Sequence, residues 1–307
     1  MAVTMLCLLS IAPVPADDTP ESEGTESLAA SQYLQQLAAV RGGLGIPKNW
    51  TRRSTYDSQV TVGSAVRAGN VVSRDRNSAP APMKYVLFEP AVFSGSAVLW
   101  IDGAGTARFC ESGRSSENVM PVTIVNQLLE AGFAVICVDL PSAVRQSGSK
   151  SDSGAAVASL MAIRVRATLA AAAAVMPHVS KLHVVGTGEA GPATLMAAAF
   201  FGDFSNAERQ RIVEVIGDVH SVMSDQKPDP PVHSEFPEAE PFGGLVGIVG
   251  LTRSVKLTIA GTQKIPAAEL KLLQDSLSQS ATPAEAKLLP ELLTDEMILD
   301  LVIPKSR

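Results

Sequence analysis

The sequence predicts an α/β protein with a mostly parallel central sheet and helices on both faces. Three observations predict it. Continuous apolar runs such as Ser96–Ile101 (SAVLWI) and Phe133–Val138 (FAVICV) read as strands buried on both faces. Helical segments alternate with them, as βαβ units require. The runs end in short Gly- or Asp-containing turns, where open parallel sheets place their ligand sites.

The elements follow in chain order. Residues 30–41 form an amphipathic helix that Gly42 and Gly43 stop. Residues 59–76 carry β-branched residues around Gly63 and Gly69, as two short strands or a hairpin would. Lys84–Phe88 and Ser96–Ile101 are strands, and the second runs into Asp102-Gly103-Ala104-Gly105. A helix over Val122–Glu130 stops at Ala131-Gly132, and the strand Phe133–Val138 ends in Asp139-Leu140-Pro141. An Ala-rich helix spans residues 154–176, with side chains small enough for close packing on a sheet. Lys181–Val185 is the next strand, followed by GTGEAG and a helix over Pro192–Phe201. Arg211–Ile216 and Val255–Ala260 are further strands, then comes a helix over 266–279 and an apolar stretch, Met297–Ile303. The Pro-rich, acidic residues 225–241 read as an irregular excursion over the C-terminal edge of the sheet.

Composition narrows the function. The chain has 307 residues, 46% hydrophobic and 18% charged, which excludes intrinsic disorder as its overall state. A net charge of −6 gives no basic surface for nucleic acid. Three scattered cysteines, Cys7, Cys110 and Cys137, make neither a disulfide framework nor a zinc pattern. No cluster of His, Cys or carboxylates has metal-ligand spacing, so no metal is expected. GTGEAG lacks the Lys-Ser/Thr of a phosphate loop, and no acid follows in the dinucleotide manner, so no cofactor is expected either.

Residues 2–16 (AVTMLCLLSIAPVPA) are too short to span a bilayer and end in a small-x-Ala pattern followed by Asp17. They read as an export signal over residues 1–16 without a basic n-region, or else as an apolar tail. Cleavage would remove Cys7 and place the mature chain in the periplasm or outside the cell, with no membrane span. Residues 17–58 then hold an acidic, Ser/Thr-rich linker (17–30) and the first helix, and residues 59–307 one α/β domain. Asn49-Trp50-Thr51 has the form of a glycosylation sequon.

Three segments carry a family resemblance. Asp102–Gly105 stands where an oxyanion turn would follow a strand. FAVICVDLP is like the next strand and loop. LHVVGTGEAGPATLMAAA has the strand–tight turn–helix form of a nucleophile elbow. Together they resemble the α/β-hydrolase superfamily, nearest its acetyl-xylan-esterase and dienelactone-hydrolase-like branch of secreted bacterial type, over about residues 60–265. The resemblance implies a three-layer sandwich and an ester hydrolase with a Ser/His/acid triad. It also implies an oxyanion-type turn made by Gly103, Ala104 and Glu189, the last following the summit of the elbow.

The triad's positions are filled otherwise. Gly188 occupies the nucleophile position between Gly186 and Ala190, and glycine has nothing with which to attack a carbonyl. The family's base is a late His, and none follows His233. The turn after Val255–Ala260, Gly261-Thr262-Gln263-Lys264, offers no carboxylate for the acid. Two readings follow. One is a non-catalytic pseudo-hydrolase that binds a small ester, a saccharide or a protein partner in the old cleft, or that serves a structural role. The other is an active carboxylic ester hydrolase with a rearranged site on Asp102, Glu189 and His220, which all follow strands on one edge. Against the second, Glu189 is equally an acid complementing a helix N-terminus, and Asp102 a cap for its own turn. His183 reads as a core histidine and His178 as a solvated one. Cys110 and Cys137 read as structural.

Overall fold

The computed structural model describes residues 22–46, 54–61, 66–73, 83–111, 120–141, 160–204, 208, 211–219, 240–253, 255–278 and 285–303. The residues read as an export signal (1–16), Cys7, the Asn49–Thr51 sequon, His220, His233 and nearly all of residues 225–241, read as an excursion, lie outside these residues. The chain divides into two units, residues 1–36 and residues 37–307.

The first helix, α1 (Ser22–Gly43), begins eight residues before the segment read as helical. Residues 22–30, read as linker, are therefore helical here. The helix ends where its glycines predict: the chain turns through Gly45 at φ 62°.

Nine strands form the main sheet. They are β1 (Ser54–Thr61), β2 (Val66–Ser73), β3 (Met83–Phe88), β4 (Ser96–Asp102), β7 (Ala134–Asp139), β8 (Lys181–Thr187), β9 (Ile212–Asp218), β10 (Lys256–Ala260) and β11 (Ala286–Leu288). Two short strands, β5 (Cys110–Glu111) and β6 (Met120–Pro121), pair separately. The main order is β1-β2-β3-β7-β4-β8-β9-β10-β11. β1, β2 and β3 run antiparallel, and β3 is antiparallel to β7. From β7 to β11 every pairing is parallel.

Helices cover both faces. On one side lie α3 (Leu160–Val175), α4 (Gly191–Ala198), α5 (Gly244–Val249) and α6 (Ala267–Ser278). On the other lie α2 (Thr123–Glu130) and α7 (Asp295–Val302). The alanines of α3 let it approach the sheet closely, and nearly every residue of that helix is buried. It continues through a 3-10 turn to His178, a span long and apolar enough to cross a membrane by length alone, yet 72% of it is buried inside the fold.

β4 is buried at every position, as a central parallel strand demands. Trp100 at its centre stacks at a tilt on Phe109, with ring centroids 5.1 Å apart, in a cluster with Val98, Val185, Ile216 and Ile298. Each such fully buried large side chain stabilises the fold by about 1.5–3 kcal/mol. Several elements differ from the sequence reading. The strands β5, β6 and β11 and the helix α5 were not expected, and the last apolar stretch is the helix α7, capped by Thr294, whose Oγ1 accepts the Met297 N–H at 3.3 Å.

Candidate functional site

Parallel strands that start together also end together, and their ends gather polar residues into one row. Asp102 of β4 is the register partner of Asp139 of β7 on one side and of Thr187 of β8 on the other. β9 continues past the expected Ile216 to Asp218, opposite Ala260 of β10. Asp102, Thr187 and Asp218 are all buried.

The turn after β8 keeps the backbone of a nucleophile elbow. Thr187 is extended, Gly188 takes φ 59°, and a 3-10 turn over Gly188–Ala190 leads into α4, with Pro192 in its first turn. The flanking small residues are sterically required. A Cβ on Gly186 would lie 2.3 Å from Thr194 Oγ1, and one on Gly191 would lie 2.1 Å from the Asp218 carbonyl oxygen. At Gly188 itself the nearest atom to an added Cβ is Gly103 N at 3.9 Å, so the summit has room for a side chain and carries none. The Gly188 N–H donates to Asp218 Oδ2 at 3.0 Å, which fixes the turn from below.

The facing turn after β4 uses its donors internally. Gly103 N–H donates to the Thr187 carbonyl at 3.2 Å, and Ala104 N–H to Asp102 Oδ1 at 2.7 Å. Two of the donors an oxyanion would need are thus already engaged. Asp102 does cap its own turn, as expected, but its other oxygen takes part in a larger network. Oδ2 accepts from the Thr187 hydroxyl and from Arg108 Nη1. Thr187 Oγ1 in turn accepts from Trp100 Nε1 at 3.1 Å and from Arg108 Nη1 at 3.0 Å. The Arg108 guanidinium lies over the Trp100 and Phe109 rings, 5.6 and 5.8 Å from their centroids. Asp139 Oδ1 accepts from the Thr106 N–H at 2.6 Å, holding the same loop from β7.

The turns that would carry acid and base are joined to each other. After β10, Gly261 N–H donates to the Glu291 carbonyl at 2.6 Å, Thr262 N–H to Leu289 O at 3.0 Å, and Gln263 N–H to Pro290 O at 3.3 Å. The Thr262 hydroxyl also donates to Leu289 O, at 2.9 Å. Residues 289–294 connect β11 to α7 and hold no histidine, and residues 261–264 hold no carboxylate.

Of the sequence candidates, Asp102 and Glu189 stand on the same edge but turn apart. Asp102 is held by Arg108 and Thr187. Glu189 is largely exposed, and its Oε2 accepts from Arg164 Nη2 of α3 at 2.8 Å. His220 falls outside the described residues. Gly103 lies against the elbow as an oxyanion turn would: a Cβ there would stand 2.9 Å from Glu189 N. Sequence reasoning missed Arg108, Thr187 and Asp218. The signal for Asp218 was available, since it ends an apolar strand as Asp102 and Asp139 do.

The cysteines lie apart from this chemistry. Cys137 is fully buried, and burial first, then the charge of Cys110, pushes its thiol well above the usual range. Burial first and Asp139 second raise the Cys110 thiol. Neither is poised as a thiolate nucleophile. Among the described residues no group of three His, Cys, Asp or Glu side chains is arranged to hold a metal ion.

A sheet ordered in this way, with an elbow between β8 and α4, is the α/β-hydrolase fold. No family model matches the sequence, and no curated protein sequence matches it. Solved structures do. A Bacteroides fragilis protein provisionally named an acetyl xylan esterase superposes with a TM-score of 0.50 at 11% identity, over 90% of this chain and 83% of that one. Acetyl xylan esterase 1 from a Thermoanaerobacterium species gives 0.44 at 12% identity, over 90% of this chain and 93% of that one. A glucuronoyl esterase from Solibacter usitatus gives 0.46 at 12% identity, over 77% and 80%. At these identities the likeness is one of fold.

Proposed function

We propose that this chain is an exported α/β-hydrolase-fold protein that binds rather than hydrolyses. Its ligand would be a small ester or saccharide in the old cleft, or a protein partner across it. The observation that carries the reading is Gly188: the elbow keeps its left-handed summit and its steric requirements, but presents no nucleophilic atom. The internal bonding of Gly103 and Ala104, and of the 261–264 and 289–294 turns, supports the same reading. A triad acts as a unit, so the loss of its members together leaves little acyl transfer. Export rests on residues 1–16 and predicts a mature N-terminus at Asp17.

The second reading is a carboxylic ester hydrolase working through Asp102, Glu189 and His220. The names of the similar solved structures favour an esterase. The engagement of Glu189 with Arg164 and of Asp102 with Arg108 weighs against it. One experiment separates the two: the purified protein is incubated with a fluorophosphonate and assayed against aryl acetates and acetylated xylo-oligosaccharides, with binding read separately by calorimetry. The first reading expects no covalent adduct by intact mass and no saturable turnover. A stoichiometric adduct, or saturable turnover that Glu189→Gln abolishes, would overturn it.

A further inference from the structure

Away from the strand-end site, the N-terminal halves of β8, β9 and β10 carry a row of ionisable side chains. His183 is the register partner of Glu214, and Glu214 of Lys256. Register partners point to the same face of a sheet, so the three stand side by side. The Glu214 side chain is 1% exposed, that of His183 8% and that of Lys256 37%. Glu214 Oε1 accepts from the Thr258 hydroxyl at 2.6 Å and lies 3.6 Å from Lys256 Nζ. Its Oε2 is 3.9 Å from His183 Nδ1, beyond hydrogen-bond reach. Among the described residues Nδ1 has no hydrogen-bond partner, and the ring stands edge-on to Phe133 with centroids 5.9 Å apart.

The charges around this imidazole come from three strands. Glu214 is on β9, Lys256 on β10, and Lys181 two residues back on β8 itself. The neighbour on β4 is Val98, and the turn before β7 contributes Phe133, so neither adds a titratable group. One carboxylate, already shared between Thr258 and Lys256, is thus the only acid among the described charges that act on this ring, beside two lysines.

We propose that the His183–Glu214–Lys256 row is an acid-sensitive latch, in which a proton on His183 loosens the pairing of β8 with β9. A neutral ring packs there against Phe133 and leaves only its Nδ1 unpartnered. An imidazolium adds a third cation beside Lys256 and Lys181 on a ring that is 8% exposed, and the one carboxylate near it is already engaged by Thr258 and Lys256. Burial first, then Lys256 and Lys181, lower the pKa of His183 from 6.5 to about 4. The unfolded chain thus takes up the proton before the folded chain does. The stability this residue confers is complete above the unfolded value and drains away as the pH falls toward the folded one.

Urea unfolding of the full chain at pH 7 and pH 5, with His183→Gln beside the wild type, tests the latch. The wild-type unfolding constant should rise about 20-fold more than that of the variant over this interval. Hydrogen exchange at pH 5 should quicken in β8 and β9 before β4, and the variant should not show it. The imidazole resonance of His183 in the wild-type protein is a second measurement that needs no variant to fold. It should titrate well below pH 6, and higher in Lys256→Met than in wild type. A His183 signal that titrates near 6.5, or a variant with the wild-type pH dependence, would overturn the proposal.

Discussion

Arg108, in the loop after β4, donates from Nη2 to Asp295 Oδ1 at 2.8 Å, in the first turn of α7. The same guanidinium holds Asp102 through Nη1. One side chain therefore joins the turn after β4 to α7, and it does so directly over Trp100. In a hydrolase, this strand-end edge presents groups to a substrate. Here one of its buried acids, Asp102, is committed to an internal ion pair.

The two halves of that bridge should differ in worth. Asp102 is buried, and losing its cation leaves a carboxylate with only the Thr187 hydroxyl and the Ala104 N–H. Asp295 is 44% exposed, and water replaces its partner readily. Arg108→Ala should therefore lower unfolding stability by about 2–3 kcal/mol, below the full cost of breaking a wholly buried pair because Arg108 itself is partly solvated. Asp295→Ala should cost no more than about 0.5 kcal/mol. Urea melts of both variants read this directly, and equal losses would show that the exposed half, not the buried one, carries the energy.

The elbow glycines make a second contrast. An alanine at Gly191 would drive its Cβ into the Asp218 backbone, which cannot rotate away, and should destabilise by about 2–3 kcal/mol or more. An alanine at Gly188 meets open space and suffers only the left-handed φ, a cost of about 1 kcal/mol. Thermal melts of Gly191→Ala and Gly188→Ala should separate in that order. A reversal would mean that the summit, rather than its flank, is the tight point of the turn.

How much of this was legible beforehand depends on the range of the interactions. The strands around β4 and β7 were readable because an apolar run of that length records local burial on both faces. The elbow was readable because its small residues are needed within a few positions of each other. α7 was only half legible: its apolar residues were noticed, while the cap at Thr294 with Asp295 and Glu296 behind it was the neglected helix signal. β11 is three residues long with two exposed, too short to leave a period. The Arg108 network was out of reach, because its partners Asp102, Thr187 and Asp295 are 6, 79 and 187 residues away and only the folded sheet brings them together. The Arg164 partner of Glu189 was out of reach for the same reason, since it lies 25 residues before it on α3.

Thiol chemistry supplies the last prediction. Cys110 is half-buried and Cys137 fully so, and each thiol is raised, by burial first in both cases. The thiolate is the reactive species, so the fraction available near neutral pH is smaller than for a free cysteine. Iodoacetamide should modify Cys110 slowly at pH 7.5 and faster as the pH climbs past 9, while Cys137 should react only once the chain is unfolded. Asp139 adds to the rise at Cys110, so Asp139→Asn should speed its alkylation at pH 8 by a few-fold without exposing Cys137. Peptide mapping by mass spectrometry distinguishes the two sites. If Asp139→Asn instead exposed both thiols together, the carboxylate would be acting through its bond to the Thr106 N–H, as a support for the loop rather than as a charge beside the sulfur.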